Sequence, residues 1–282
     1  MSSPQVVART GLAHKSCVPR GHVGTRAINI VAVTQSDPFF TGRFFEAFLA
    51  ESGHLPVRLV EIVLLRNFNE SMPALAVRLW KLYGSLDMAR LCGRYASARL
   101  AEQLGMPRGV EAIAARHGIP TRPLKTINDA AYLRTLGERD VDVLLSVAAP
   151  ELFGARALRA APYVLNVHCG KLPNYRGMMP TFWALHNGER EIVVTVHEMA
   201  EKLDAGGVLA EYPVPVAPAD SAFDLAVRAK RLAGREVARL LARLRTPTWP
   251  EPRSVDMSRQ RYFRFPTRQH ARELRASGRR ML

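Results

Sequence analysis

The sequence predicts an α/β fold in which a mostly parallel sheet carries helices on both faces. Three observations support that expectation. Apolar, β-branched runs of strand length recur along the chain, stretches with apolar residues at helical spacing alternate with them, and Gly and Pro mark the joints. Strands alternating with helices of this length build right-handed βαβ units and so a Rossmann-like arrangement.

Taken in order, "AINIVAVTQSD" is a buried strand closing in turn residues, and "PFFTGRFFEAFLAESG" is a helix that opens at Pro38 and Thr41 and stops at Gly53. "LPVRLVEIVLL" is a second strand. "GVEAIAARHGIPTRPLKTIN" reads as helix, Gly stop and short strand, and "DAAYLRTLGERDVDVLLSVA" as helix then strand. "ELFGARALRAAP" is a short helix and "YVLNVH" a further strand. "IVVTVHEM" and "VLAEYPVPV" are two more strands joined by the loop "AEKLDAGG", and "SAFDLAVRAKRLAGREVARLLARL" is a long helix. Between the second and third strands, residues 69–104 add one or two amphipathic helices, with Leu, Trp and Tyr on one side and Arg and Lys on the other. That insertion is expected to pack on the sheet or on a twin subunit in a homodimer, and a membrane surface is the sharper alternative. The chain thus divides into a basic N-terminal extension at 1–26, expected to be disordered, a main domain at 27–244, and a C-terminal appendage at 245–282. The appendage is a Pro-rich linker, a strand-like piece and a basic helix, too short to fold alone.

At 282 residues the chain can bury a full core. No apolar run approaches the roughly 20 residues of a membrane-spanning helix. Cys17, Cys92 and Cys169 match no zinc or redox spacing, and a reducing cytoplasm suits them. The net charge of +15 invites a nucleic-acid partner, but much of the excess sits at the two ends and is Arg in an Ala-rich chain, which a solvated surface explains as well.

The chemistry concentrates in "VLNVHCGKLPNYRGMMPTFWALHNG", where Asn166 and His168 close a strand. Residues i and i+2 of a strand share a face, so both side chains reach one cleft. Loops that leave the carboxyl ends of parallel strands are where such sheets keep their sites. In the later strand-loop-strand unit, Asp204 sits on a turn before Gly206 and Gly207, which permit unusual backbone angles.

Asn-x-His followed by Leu-Pro-x-Tyr-Arg-Gly, then Val-x-His-x-x-x-x-x-Leu-Asp-x-Gly, resembles the pattern of the folate-dependent formyltransferase superfamily. That superfamily includes glycinamide ribonucleotide, methionyl-tRNA and amino-sugar N-formyltransferases. The resemblance covers about Ile28 to Val216 in architecture and is sharp from Asn166 to Gly207. It implies the formyltransferase fold, a catalytic domain at 27–244, 10-formyltetrahydrofolate as co-substrate and a catalytic trio of Asn166, His168 and Asp204. Transfer to an amine passes through a tetrahedral species bearing an oxyanion, which calls for donors placed in advance. It also calls for a group that titrates near neutrality. Asn166 and His168 would supply these, with Asp204 orienting His168 and holding a water that shuttles the proton. Cys169 would be a packing residue and no metal is required. The resemblance places the pterin between the loop at Ala148, Pro150 and Leu152 and the loop at Met199, Glu201 and Leu203, held largely by backbone. His197 matches a His often found in the second signature, with a supporting or a ligand-contacting role.

Departures from the pattern bear on the acceptor. "CGKLP" sets Lys171 beside the site, where it either attracts a phosphate or carboxylate or points outward. Tyr175, Arg176, Met178 and Met179 line the following loop, facing the acceptor or packing the next helix. The first strand ends in "TQSDPFFTG", without the Gly-rich phosphate cradle of the glycinamide ribonucleotide enzymes. The leading expectation is an N-formyltransferase acting on a small-molecule amine: an amino sugar, a sugar nucleotide or a specialised-metabolite amine. Methionyl-tRNA competes, favoured by the basic charge and opposed by the lack of room for the C-terminal barrel of the tRNA enzymes. A formyltetrahydrofolate hydrolase and a non-catalytic module binding nucleic acid or another partner are further alternatives.

Overall fold

The computed structural model describes residues 26–65 and 72–282. The expected N-terminal extension, apart from Arg26, and the start of the 69–104 insertion lie outside the described residues.

In chain order the elements are β1 (Ile28–Gln35), α1 (Thr41–Ser52), β2 (Val57–Leu65), α2 (Met72–Gln103), α3 (Val110–Arg116), β3 (Thr121–Leu124), α4 (Ala130–Gly137), β4 (Val143–Val147) and β5 (Tyr163–His168). Then follow β6 (Arg176–Gly177), α5 (Pro180–His186), β7 (Glu191–Glu198), β8 (Val208–Pro215), α6 (Ala222–Leu241), β9 (Tyr262–Phe263) and α7 (Arg268–Ala276). The main sheet has seven strands in the order β3-β2-β1-β4-β5-β7-β8. Its first five are parallel, and β7 and β8 add an antiparallel edge. The fold is thus the mostly parallel α/β sheet that the alternation of strands and helices predicts. Alternate residues feed the two faces: Ile30, Ala32, Leu145 and Leu165 pack with α1 and α6, whereas Val31, Val33, Leu144 and Val164 pack with α4.

Two elements differ from expectation for local reasons. The helix expected from Pro38 starts at Thr41, because the Asp37 carboxylate takes the backbone N–H groups of Phe39 (2.9 Å), Phe40 (2.5 Å) and Thr41 (2.9 Å). The short helix expected at 151–162 is a single 3-10 turn, Ala157–Arg159, too brief to propagate as an α-helix. Helix α2 is two helices joined at Gly84, whose φ of 75° no other residue type adopts cheaply. It buries Leu82, Tyr83 and Leu91 in the core but leaves Val77, Trp80, Leu86, Tyr95 and Leu100 exposed, so only part of its apolar surface packs on this chain. Among the described residues no helix is long and apolar enough to cross a membrane.

The C-terminal segment is integrated with the rest. Strand β9 pairs in parallel with β6, while Ala271, Leu274, Met281 and Leu282 enter the core shared by α1 and α6.

Helices α1 and α6 approach closely because Gly234 has no side chain: a Cβ there would run into the Phe44 carbonyl oxygen and lie 2.9 Å from Phe48 N. Gly→Ala normally stabilises a helix interior by about 1 kcal/mol. At Gly234 the sign should reverse, with Gly234→Ala lowering unfolding free energy by about 1–3 kcal/mol through overpacking. Gly93→Ala, where a Cβ meets nothing within 4 Å, should stabilise instead. Urea midpoints of the two variants check both signs.

Candidate functional site

The site is assembled on β5 and β7, which pair antiparallel with Asn166 opposite His197 and His168 opposite Thr195. Asn166, His168 and His197 therefore share one face. Leu165 and Val167 point the other way, and so does Cys169, which is buried in the opposite core. Because β7 runs against β5, the loop after it leaves toward the start of β5, where Met199 N–H donates to the Val164 carbonyl (2.8 Å). It then folds back over the sheet face. Gly206 allows the return, since a Cβ there would collide with the Glu198 carbonyl. Asp204 takes a left-handed φ of 47°, a strained state for a non-glycine and of the kind that collects at functional sites.

That fold-back brings the three expected residues together. Asp204 Oδ1 lies 3.9 Å from His168 Nδ1 and 3.8 Å from His197 Nε2, and its Oδ2 accepts the Gly177 N–H at 3.0 Å. His168 and Asp204 are each only 7% exposed. A gap of 3.9 Å exceeds a direct hydrogen bond and is one that a bridging water spans.

The ring orientations follow from backbone acceptors. His197 Nδ1–H donates to the Glu198 carbonyl at 2.7 Å, so its Nε2 carries the lone pair and accepts from the Asn166 amide at 3.0 Å. Burial pushes His197 from 6.5 down to about 4, against the pull of Asp204 and with the help of the neighbouring His168. It stays neutral and holds the Asn166 side chain amine-first. The second Asn166 N–H has no partner among the described residues. His168 Nε2–H donates to the Tyr175 carbonyl at 2.5 Å, which turns Nδ1 toward Asp204. Thr195 Oγ1 bonds the Gly170 carbonyl at 2.8 Å and fixes the exit from β5.

The expected acceptor-loop residues are placed as follows. Lys171 is exposed. The Tyr175 ring stacks on Phe263, and its hydroxyl donates to Glu189 at 2.6 Å. Burial and then that bond push the phenol up to about 12. What Tyr175 presents to His168 is its carbonyl. Arg176 is buried and grips the Leu203 carbonyl through two nitrogens and Gln260 through the third, tying its own loop to the one carrying Asp204. Met178 N–H donates to Phe263, and Met179 adopts a φ of 50° at the start of α5. Both methionines are half-buried. Of the residues expected at a folate ring, Ala148 also has a positive φ, 55°, Pro150 is half-buried, Leu152 is 58% exposed, and Glu201 is exposed. Met199 and Ala149 are partly buried against the same apolar cluster. Gly177 N–H, the Tyr175 carbonyl and Gln260 were not among the expected site residues. The first two are backbone groups without a side-chain signature.

A model of the formyl transferase family matches residues 98–241, just over half of the chain. Among solved structures, a sugar N-formyltransferase from a Shewanella species is 14% identical, with a TM-score of 0.53 and coverage of 88% of this chain and 87% of that one. Glycinamide ribonucleotide transformylase 1 from Geobacillus kaustophilus is 21% identical, with a TM-score of 0.54 over 78% of this chain and 99% of that one. The corresponding enzyme from Symbiobacterium toebii is 20% identical, with a TM-score of 0.53 over 82% and 95%. At these identities the likeness is one of fold.

The buried, neutral His197 makes stability depend on pH. Its folded value lies below its unfolded one, so its contribution is present above about 6.5, declines as pH falls, and is lost below about 4. Urea unfolding at pH 7 and pH 4.5 should show the native chain losing roughly 2 kcal/mol more than His197→Gln over that window.

Proposed function

The chain belongs to the formyl transferase family, a family of folate-dependent enzymes, and from that membership we propose that it moves a formyl group from 10-formyltetrahydrofolate to the amine of a small acceptor. The observation that carries the proposal is the convergence of Asn166, His168 and Asp204 on one face of the sheet, around His197.

The residues fit such a donor. Ala149 and Met199 offer apolar contact on one cluster, Leu152 is exposed at the edge, and backbone groups of both loops are at hand for ring heteroatoms. Ala148, Pro150, Leu152, Met199, Glu201 and Leu203 are the residues we assign to holding it. When bound, it supplies an activated formyl carbon. The Asn166 N–H left over from its bond to His197 donates to the formyl oxygen as negative charge grows there. His168 Nδ1, its lone pair kept free because Nε2–H is committed to Tyr175, takes the proton of the attacking amine. The imidazolium so formed faces the Asp204 carboxylate; as the bond between the formyl carbon and the folate nitrogen breaks, the proton passes through a water to that nitrogen, and the formylated amine and tetrahydrofolate leave. Orientation of His168 by one carbonyl and one carboxylate is what makes the step directional.

The acceptor is narrowed by Asp37. Its carboxylate occupies the N–H groups at the start of α1, the kind of place where a phosphate is otherwise received. A negative side chain there disfavours an acceptor whose phosphate must sit at that point, as in the purine pathway. Residues 245–282 form a two-residue strand and one nine-residue α-helix that pack on the main core. The likeness to a sugar N-formyltransferase supports a small amine, such as an amino sugar or a sugar nucleotide. Lys171, exposed at the rim, and the half-buried Met178 and Met179 are assigned to that acceptor.

The test is a panel of amines incubated with 10-formyltetrahydrofolate and followed by mass spectrometry for the gain of one formyl group. With the amine that reacts, Asn166→Ala, His168→Ala and Asp204→Ala should each lower kcat by about 10²–10³-fold while leaving the circular dichroism spectrum unchanged. Undiminished transfer by any of the three would remove that residue from the mechanism.

A further inference from the structure

Away from the cleft, a cavity of 370 Å³ opens between the kink of α2 and helix α7 with the chain's last residues. It shares no lining residue with the catalytic face. Arg90, Arg268, Arg272, Arg275, Arg279 and Arg280 line it, while the acidic side chain among its lining residues is Asp87. Six guanidinium groups thus share the cavity with one carboxylate side chain. Its apolar lining includes Leu82, Tyr83 and Met281, all buried.

A row of arginines on a helix is usually a solvated face. Three features set this one apart. First, the guanidinium groups come from two separate parts of the chain and converge on a concavity, where low-dielectric walls focus their field. Second, several are fixed in place. Asp87 accepts from Arg90 at 3.0 Å and from Arg275 at 2.8 Å, Arg275 also donates to the Tyr83 carbonyl at 2.6 Å, and Arg279 and Arg280 hold the Ala217 and Ala219 carbonyls. Third, the side chains of Arg268 and Arg272 have no hydrogen bond or ion pair with a described residue, although they stand four apart on α7, where like charges weaken the helix. An anion in the cavity would relieve that repulsion and use two planar forks suited to phosphate oxygens.

We propose that this cavity binds a ligand carrying at least two phosphate groups. Its volume lies in the ordinary range of small-molecule pockets. The phosphates belong either to a free compound or to a lipid headgroup, since Leu86 on the rim and Trp80 on the same helix are exposed apolar side chains. The site is independent of the formyl-transfer chemistry, because none of the residues assigned to that chemistry lines it.

Isothermal titration of the full chain with inorganic pyrophosphate at low salt should show saturable binding, stronger than that of orthophosphate. Arg268→Gln/Arg272→Gln should weaken it at least tenfold, whereas the distant pair Arg116→Gln/Arg190→Gln should not. Co-sedimentation with cardiolipin vesicles, whose lipid headgroup carries two phosphates, compared with phosphatidylcholine, then separates the sources. Capture that needs Arg268 and Arg272 assigns the phosphates to lipid, and no such capture assigns them to a free ligand. Absence of saturable pyrophosphate binding, or equal losses in the two double variants, would overturn the proposal. The arginine side chains of both double variants make no hydrogen bond with a described residue, so unchanged melting temperatures are expected and distinguish lost binding from lost folding.

Discussion

The buried guanidinium of Arg176, donating to the carbonyl of Leu203, ties together the two loops from which the proposed catalytic face is built. One loop carries the Tyr175 carbonyl and the Gly177 N–H, and the other carries Asp204 in a left-handed conformation. Neither loop is part of the main sheet. A buried cation without partners would be costly, so satisfying Arg176 demands that Leu203 be where it is. With Leu203 fixed, Asp204 has little choice of position. The Gly177 N–H then takes one carboxylate oxygen, and the other faces the two histidines.

The C-terminal segment joins the same construction. Gln260 takes the remaining nitrogen of Arg176, β9 pairs with β6, and Phe263 stacks on both Tyr175 and Trp183. A stretch that composition marks as an appendage thus supports the loop that orients His168. Stability and chemistry meet at His197 as well: burial keeps it neutral, and neutrality is what lets its Nε2 accept one N–H of Asn166 while its Nδ1–H stays with the Glu198 carbonyl.

Much of this was legible in the sequence. The alternation of strand and helix periods foretold the sheet, and Asn166 and His168 were legible because strand geometry sends i and i+2 to one face. Asp204 was legible through the glycines beside it, one of which is now seen to permit the fold-back. The fate of Tyr175 and Arg176 was not legible: their partners Phe263, Leu203 and Gln260 lie far along the chain, and no local pattern records such pairings. The antiparallel sense of β7 was equally hidden, since periodicity describes a strand and not its direction. Nor does composition distinguish arginines scattered in solvent from those gathered around a cavity.

The account claims that Arg176 acts on catalysis through the placement of Asp204. A double-mutant cycle in kcat with Arg176→Gln, Asp204→Asn and the combined variant tests this most directly. Each single change should cost on the order of 10²-fold, and the combination should cost no more than the worse single. If the two losses multiply instead, the residues act independently and the tie between the loops is not what builds the site.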